Sequence, residues 1–251
     1  MIKDLKKLFA YHDLLLIFIW RNLSIRYRQS YLGILWAIFQ PLSLMILFCA
    51  ISNNFNPLFF FSGLLCWNFF SSAVNASITS LTSQYSLITR IYFPREILPL
   101  SLMAVAFVDY IIAGIIFAII AAFNHLTLSA SILWVIPLTL LLIMFIVALS
   151  LLFSSLNVYY RDLQMASGFF IQLMFFASPV FYSVRQVSPK FQKIIALNPM
   201  TFIINNMRSC LLHQQEVNVV HFLFMFILVS ILLFISYYLF KNMEKRFADV
   251  I

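Results

Sequence analysis

The chain has 251 residues, of which 63% are hydrophobic and 10% formally charged, against roughly 45–50% and about 25% in soluble domains. A soluble domain of this size must still cover its surface with polar groups, so the deficit of charge excludes a soluble enzyme and a disordered or fibrous chain. The surrounding medium is lipid, and the net charge of +8 is read first through the positions of its lysines and arginines, not as affinity for nucleic acid.

In the first 31 residues the apolar run Leu14 to Trp20 is too short for a signal peptide and no small-residue cleavage site follows it. Arg21, Arg26 and Arg28 come directly after. This mixture predicts an amphipathic helix in the cytoplasmic interface, with arginines reaching lipid phosphates. From Gln29 to Thr89 there is no formal charge, enough chain for two crossings of about 20 residues each. The turn between them is placed at Asn53-Asn54-Phe55-Asn56-Pro57, where helix-poor residues cluster. The first span is expected near 33–52 and the second near 58–81.

After Arg95 and Glu96 the chain is apolar, apart from Asp109, up to Arg161. Asn124-His125 and the serines to Ser131 divide it into spans at about 98–123 and 132–156. A fifth span fits Gln164 to Tyr182 and a sixth Val220 to Phe240. Membrane strands are excluded because the apolar–polar alternation of a barrel is missing. The expected fold is an all-α membrane protein with six transmembrane helices in one transmembrane domain, 1–251. Its parts are an interface segment (1–31), spans one to five (33–182), an external stretch (183–219), span six (220–240) and a tail (241–251). With both termini inside, twelve of the sixteen lysines and arginines lie on cytoplasmic segments and four, Arg185, Lys190, Lys193 and Arg208, outside. The three cysteines offer no disulfide framework.

Catalytic signatures are missing. There is no Gly-x-x-x-x-Gly-Lys-Ser/Thr loop for nucleotide phosphates. The four histidines are scattered without metal-ligand spacing, and no two carboxylates stand as an acid/base pair. The expectation is a chain with no catalytic site, metal or cofactor of its own.

Several segments exceed what a plain span needs. WRNLSIRYRQSYLGILWAIFQP, from Trp20 to Pro41, couples a basic ramp to the first span through Tyr31-Leu32-Gly33. It reads either as positive-inside anchoring with an aromatic belt or as a gate at the cytoplasmic mouth, with Gln40-Pro41 weakening the helix ladder. YFPREILPLS from Tyr92 places Arg95-Glu96 between two prolines in a cytoplasmic connection; it is either a solvated connector or a short docking helix. NVYYRDL, Asn157 to Leu163, is read as capping and anchoring helix ends. In the external stretch, Phe191 to Leu197 and Thr201 to Leu212 flank Asn198-Pro199, a pattern that fits two helices dipping back into the membrane. The four outside cations either snorkel to headgroups or meet anionic lipid or substrate. Asp109, midway along the third span, is expected to be structural, facing other helices and held by a hydroxyl or amide. Aromatic residues make up 18% of the chain, and rings such as Trp36 could stack on sugar faces.

These segments, with SPVFY (Ser178 to Tyr182), LNPM (Leu197 to Met200) and the terminal FADVI, resemble in order the type 2 ABC exporter permeases that secrete polysaccharides. The O-antigen branch is the best match and teichoic acid exporters are near relatives. The likeness spans the chain. It implies a homodimer of this subunit with two separate ATP-binding cassette subunits, which would hold ATP and Mg. It implies an inner-membrane location and a lipid-linked polysaccharide as cargo. On that resemblance the substrate entrance and gate fall on Arg26, Arg28, Tyr31, Leu32, Gly33 and Trp36. Coupling to the ATPase falls on Arg90, Tyr92, Phe93, Arg95 and Glu96, where a short coupling helix is implied. The external re-entrant pair becomes a gate involving Arg185, Lys190, Lys193, Asn198, Pro199 and Arg208. Lipid-linked glycan would enter from the cytoplasmic side, its pyrophosphate guided by Arg26 and Arg28. The alternatives are a teichoic acid, capsule, drug or small-lipid exporter, a membrane-embedded transferase, and a structural scaffold.

Overall fold

A computed structural model describes residues 10–28, 35–51, 56–124, 130–212 and 217–247. Among them every regular element is helical: α1 (His12–Arg28), α2 (Leu35–Ile51), α3 (Pro57–Ile78), α4 (Tyr85–Arg90), α5 (Ile97–Phe123), α6 (Val135–Tyr159), α7 (Leu163–Ala177), α8 (Pro189–Ala196), α9 (Pro199–Leu211) and α10 (Val219–Glu244). Single 3-10 turns precede α4, α6 and α8. Tyr31, Leu32 and Gly33 lie outside the described residues.

Helix starts follow from local chemistry. Asn56 caps α3 by accepting from Leu58 N at 3.0 Å, with Pro57 in the first turn. Asn198 repeats this on α9, accepting from Met200 N with Pro199 behind it. Asn218 caps α10 through His221 N. Each side chain satisfies one of the amide groups a helix start leaves unpaired, and proline there forfeits no helical bond.

Among the described residues four helical stretches are long and apolar enough to cross a membrane: Pro57–Ile78, Ile97–Phe123, Ala130–Tyr159 and Val219–Glu244. The fourth predicted span gains a 3-10 entry turn at Ala130–Trp134, and the sixth runs on to Glu244. The fifth stops at Ala177 instead of reaching Tyr182, because Pro179 has no N–H to continue the ladder. At 1.5 Å per residue, the 15 residues of α7 reach about 22 Å, short of a core of about 30 Å, and the described part of α2, 17 residues, reaches about 26 Å.

The apolar core is built on α3, which packs against α2, α5, α6, α7 and α9. Its Phe60, Phe61, Phe70, Ala73 and Val74 are fully enclosed, and Phe70 stacks on Phe145 of α6 at 5.6 Å. A second cluster at the other end joins Phe18, Phe93, Ile97, Val158, Phe240 and Phe247. By contrast α5 and α10 bury little of their most apolar stretches, so the outer faces of these helices are available to lipid or another chain.

Candidate functional site

Contacts between α1 and α5 advance together along both helices. Phe18 stacks with Phe93 just ahead of α5, Asn22 Nδ2 donates to Ser101 Oγ at 3.2 Å, and Arg26 Nη2 lies 2.8 Å from Asp109 Oδ2. The Tyr27 hydroxyl donates to the other carboxylate oxygen, Oδ1. The C-terminal end of α1 thus reaches the middle of α5, where an unpaired carboxylate would be costly. Burial first, then the hydrogen bond to Asp109 and its charge, push the Tyr27 phenol above its ordinary range, so it stays protonated and donating.

This triad borders a cleft of about 240 Å³ between α1, α2, α3 and α5, together with Trp36, Gln40, Asn68, Ser72 and Tyr110. Trp36 is half exposed and meets Phe39 edge-on at 5.9 Å. Arg28, one residue beyond Tyr27, is exposed. Of the residues expected at the entrance, the structure therefore brings Arg26 and Trp36 to one cleft, and Arg28 is not among the residues that line it.

The segment Arg90 to Glu96 divides sharply by exposure. Arg90 and Tyr92 are exposed, Tyr92 at 84%. Phe93 is buried against Phe18 and Glu96 is 2% exposed. Glu96 pairs with Lys241 of α10, which also bonds Glu244 Oε2 at 2.8 Å. Glu244 in turn accepts from the Arg95 backbone N–H at 3.2 Å, and its carbonyl accepts from the Arg95 guanidinium. Arg95 also lies over the Phe247 ring at 5.7 Å. The start of α5 and the end of α10 are clamped into one unit, beside a cleft of about 630 Å³ that includes Tyr11, Tyr92 and Lys245. Lys241 and Glu244 were invisible as partners in the sequence because nearly 150 residues separate them from Arg95.

At the other end, Arg208 of α9 is 3% exposed. Its Nε donates to Phe59 O at 3.1 Å and its Nη2 to Pro179 O and Val180 O at 3.0 and 2.8 Å. The guanidinium lies 3.6 Å from the Phe59 ring centroid. Asn198 Nδ2 adds a bond to Ser178 Oγ at 3.1 Å, so the turn after α7 is fastened to the start and the last turn of α9. Lys190 is exposed on α8, Pro199 opens α9, Arg185 falls in the 3-10 turn Val184–Gln186 and Lys193 on α8. The structure gathers Asn198 and Arg208 around Ser178–Val180, and their bonds are to protein groups.

Among the described residues no three His, Cys, Asp or Glu side chains converge as a metal site. The contacts fasten α1 to α5, the start of α5 to the end of α10, and the turn after α7 to α9. Comparison with known proteins gives the family. The chain is 27% identical over 248 residues to an O-antigen export system permease protein RfbA of Klebsiella pneumoniae, covering 95% of both chains. A second such permease from the same organism is 28% identical over 249 residues, again covering 95% of both. That of Myxococcus xanthus is 27% identical over 263 residues and covered in full, as is this chain. Residues 13–212, the stretch that carries the α1–α5 triad, the α3 core and the Arg208 contacts, match the ABC-2 type transporter family, and the chain belongs to that family as a multi-pass membrane subunit.

Proposed function

We propose that this chain is the permease subunit of an ATP-driven exporter that moves a lipid-linked, O-antigen-like polysaccharide from the cytoplasmic to the external face of the inner membrane. The supporting observation is the likeness to O-antigen export permeases of two organisms over 95 to 100% of each chain. In this reading α2 and α7 complete a set of six spans, tilted neighbours and local bilayer thinning accommodating their length. The pair α8 and α9 dips into the membrane from outside, and both termini are cytoplasmic.

Two copies of the chain pair with two ATP-binding cassette subunits, which hold ATP and Mg. Exposed Arg90 and Tyr92 meet the ATPase, while Arg95 and Glu96 work from behind by fixing that segment to α10. Nucleotide-driven closure then moves α5 and α10 as one body. Arg28, exposed at the end of α1, suits the anionic linkage of the cargo, and Arg26 is already engaged by Asp109. Tyr31, Leu32 and Gly33 retain the role of an entrance gate, and the external helices with Arg185, Lys190 and Lys193 that of an exit gate.

Reconstitution tests the reading. Proteoliposomes holding this chain and its ATPase partner should hydrolyse ATP faster when lipid-linked glycan is supplied, and conversion of that glycan without the ATPase would favour a transferase instead.

A further inference from the structure

The cleft bordered by α1, α2, α3 and α5 has features that fastening α1 to α5 does not require. Its two charges, Arg26 and Asp109, are committed to each other at 2.8 Å, so the lining carries no net formal charge. The rest of its polar lining is neutral: Gln40 on α2, Asn68 and Ser72 one turn apart on α3, and the Tyr27 and Tyr110 hydroxyls. Tyr27 is spent on Asp109 and Tyr110 on Thr139 Oγ1, 3.1 Å away. The side-chain amides of Gln40 and Asn68 make no hydrogen bond to another described residue, although both stand in membrane-embedded helices. Amides facing a cleft at that depth need a partner that donates and accepts, which lipid tails cannot supply.

We propose that this cleft is an intramembrane subsite for a single sugar ring of the lipid-linked glycan, a proposal that rests on the export reading above. A neutral polyhydroxylated ligand satisfies amide N–H and C=O groups together, whereas a phosphate would have to take Arg26 from Asp109 and leave a carboxylate facing an anion. The half-exposed Trp36 ring offers a flat apolar surface for the C–H face of a sugar. The volume of about 240 Å³ equals about eight waters at about 30 Å³ each, space on the order of one ring and too little for a chain. The cleft therefore reads the sugar, and Arg28 outside it is left for the charged linkage.

The test uses cells carrying the whole exporter, with a photoreactive benzoylphenylalanine in place of Asn68 or, as a control, of Ile115 on the outer face of α5, which is 57% exposed and lines no part of this cleft. Irradiation should yield an adduct that reacts with antiserum to the exported glycan at position 68 and not at 115. Phospholipid adducts alone at 68, no adduct there, or equal glycan adducts at both positions would overturn the subsite. In parallel, the double variant Gln40→Leu and Asn68→Leu should slow the appearance of surface glycan roughly tenfold, the effect of losing two neutral hydrogen bonds. An unchanged rate with the variant at its parental level in the membrane contradicts the proposal, and if the double variant does not accumulate the crosslinking result decides. Deleting the chain separates the two claims: surface glycan that persists defeats the export reading, while its loss without a position-68 glycan adduct defeats only the subsite.

Discussion

Arg208 shows most clearly how a residue's role depends on what surrounds it. In the sequence it is one of four outside cations; in the structure it is a buried cross-brace between α9, the first turn of α3 and the Pro179–Val180 turn. Replacing it with Met should lower stability by about 1–3 kcal/mol for each acceptor left dry, read as a fall in unfolding temperature of the detergent-solubilised protein. Gly63 belongs to the same contact, because a Cβ there would lie 2.6 Å from both Arg208 Nη2 and Val180 O. Gly63→Ala should therefore destabilise by about 1–3 kcal/mol through crowding against backbone, and an unaltered melting temperature would refute the brace. None of this was legible beforehand: the acceptors are backbone carbonyls, which leave no mark in a sequence. Asp109 was legible in part. Its need for a partner follows from its depth, but that the partners are Arg26 and Tyr27 depends on α1 running up alongside α5.

Among the elements, the clamp between the start of α5 and the end of α10 is the joint through which the proposed coupling would pass. Glu96 is enclosed, so removing its partner leaves a carboxylate in a poorly solvated place. Lys241→Ala should cost about 3 kcal/mol or more and reduce glycan-stimulated ATP hydrolysis. The exchange of both residues, Glu96→Lys with Lys241→Glu, should recover part of that loss, since the opposite pair is restored although Glu244 then faces the new carboxylate. Equal loss in the single and exchanged variants would remove the ion pair from the account. Tyr92→Ala, on the exposed side of the same segment, should instead weaken ATPase co-purification with little effect on stability. The helices themselves were largely readable, since charge-free runs and Asn-Pro starts mark α3 and α9 locally. The length of α7 was not, because apolar composition continues past Ala177 while Pro179 ends the helix.

For the whole molecule, α10 and α5 present long apolar faces to the outside, with Val220, Phe224, Ile227 and Phe234 exposed on α10 and Ile115 and Ile119 on α5. Such faces are stable only against lipid tails or another apolar chain. The proposed two-copy assembly predicts a native mass of two permease and two ATPase subunits for the complex released from membranes, and a mass with a single permease copy would contradict it. The central claim concerns what this assembly moves. The most direct measurement compares surface glycan with lipid-linked glycan inside the cell, in a strain lacking this chain and in the same strain with it restored. The account predicts loss of surface glycan, accumulation of the lipid-linked form inside, and recovery on restoration. Normal surface glycan in the absence of the chain would contradict it.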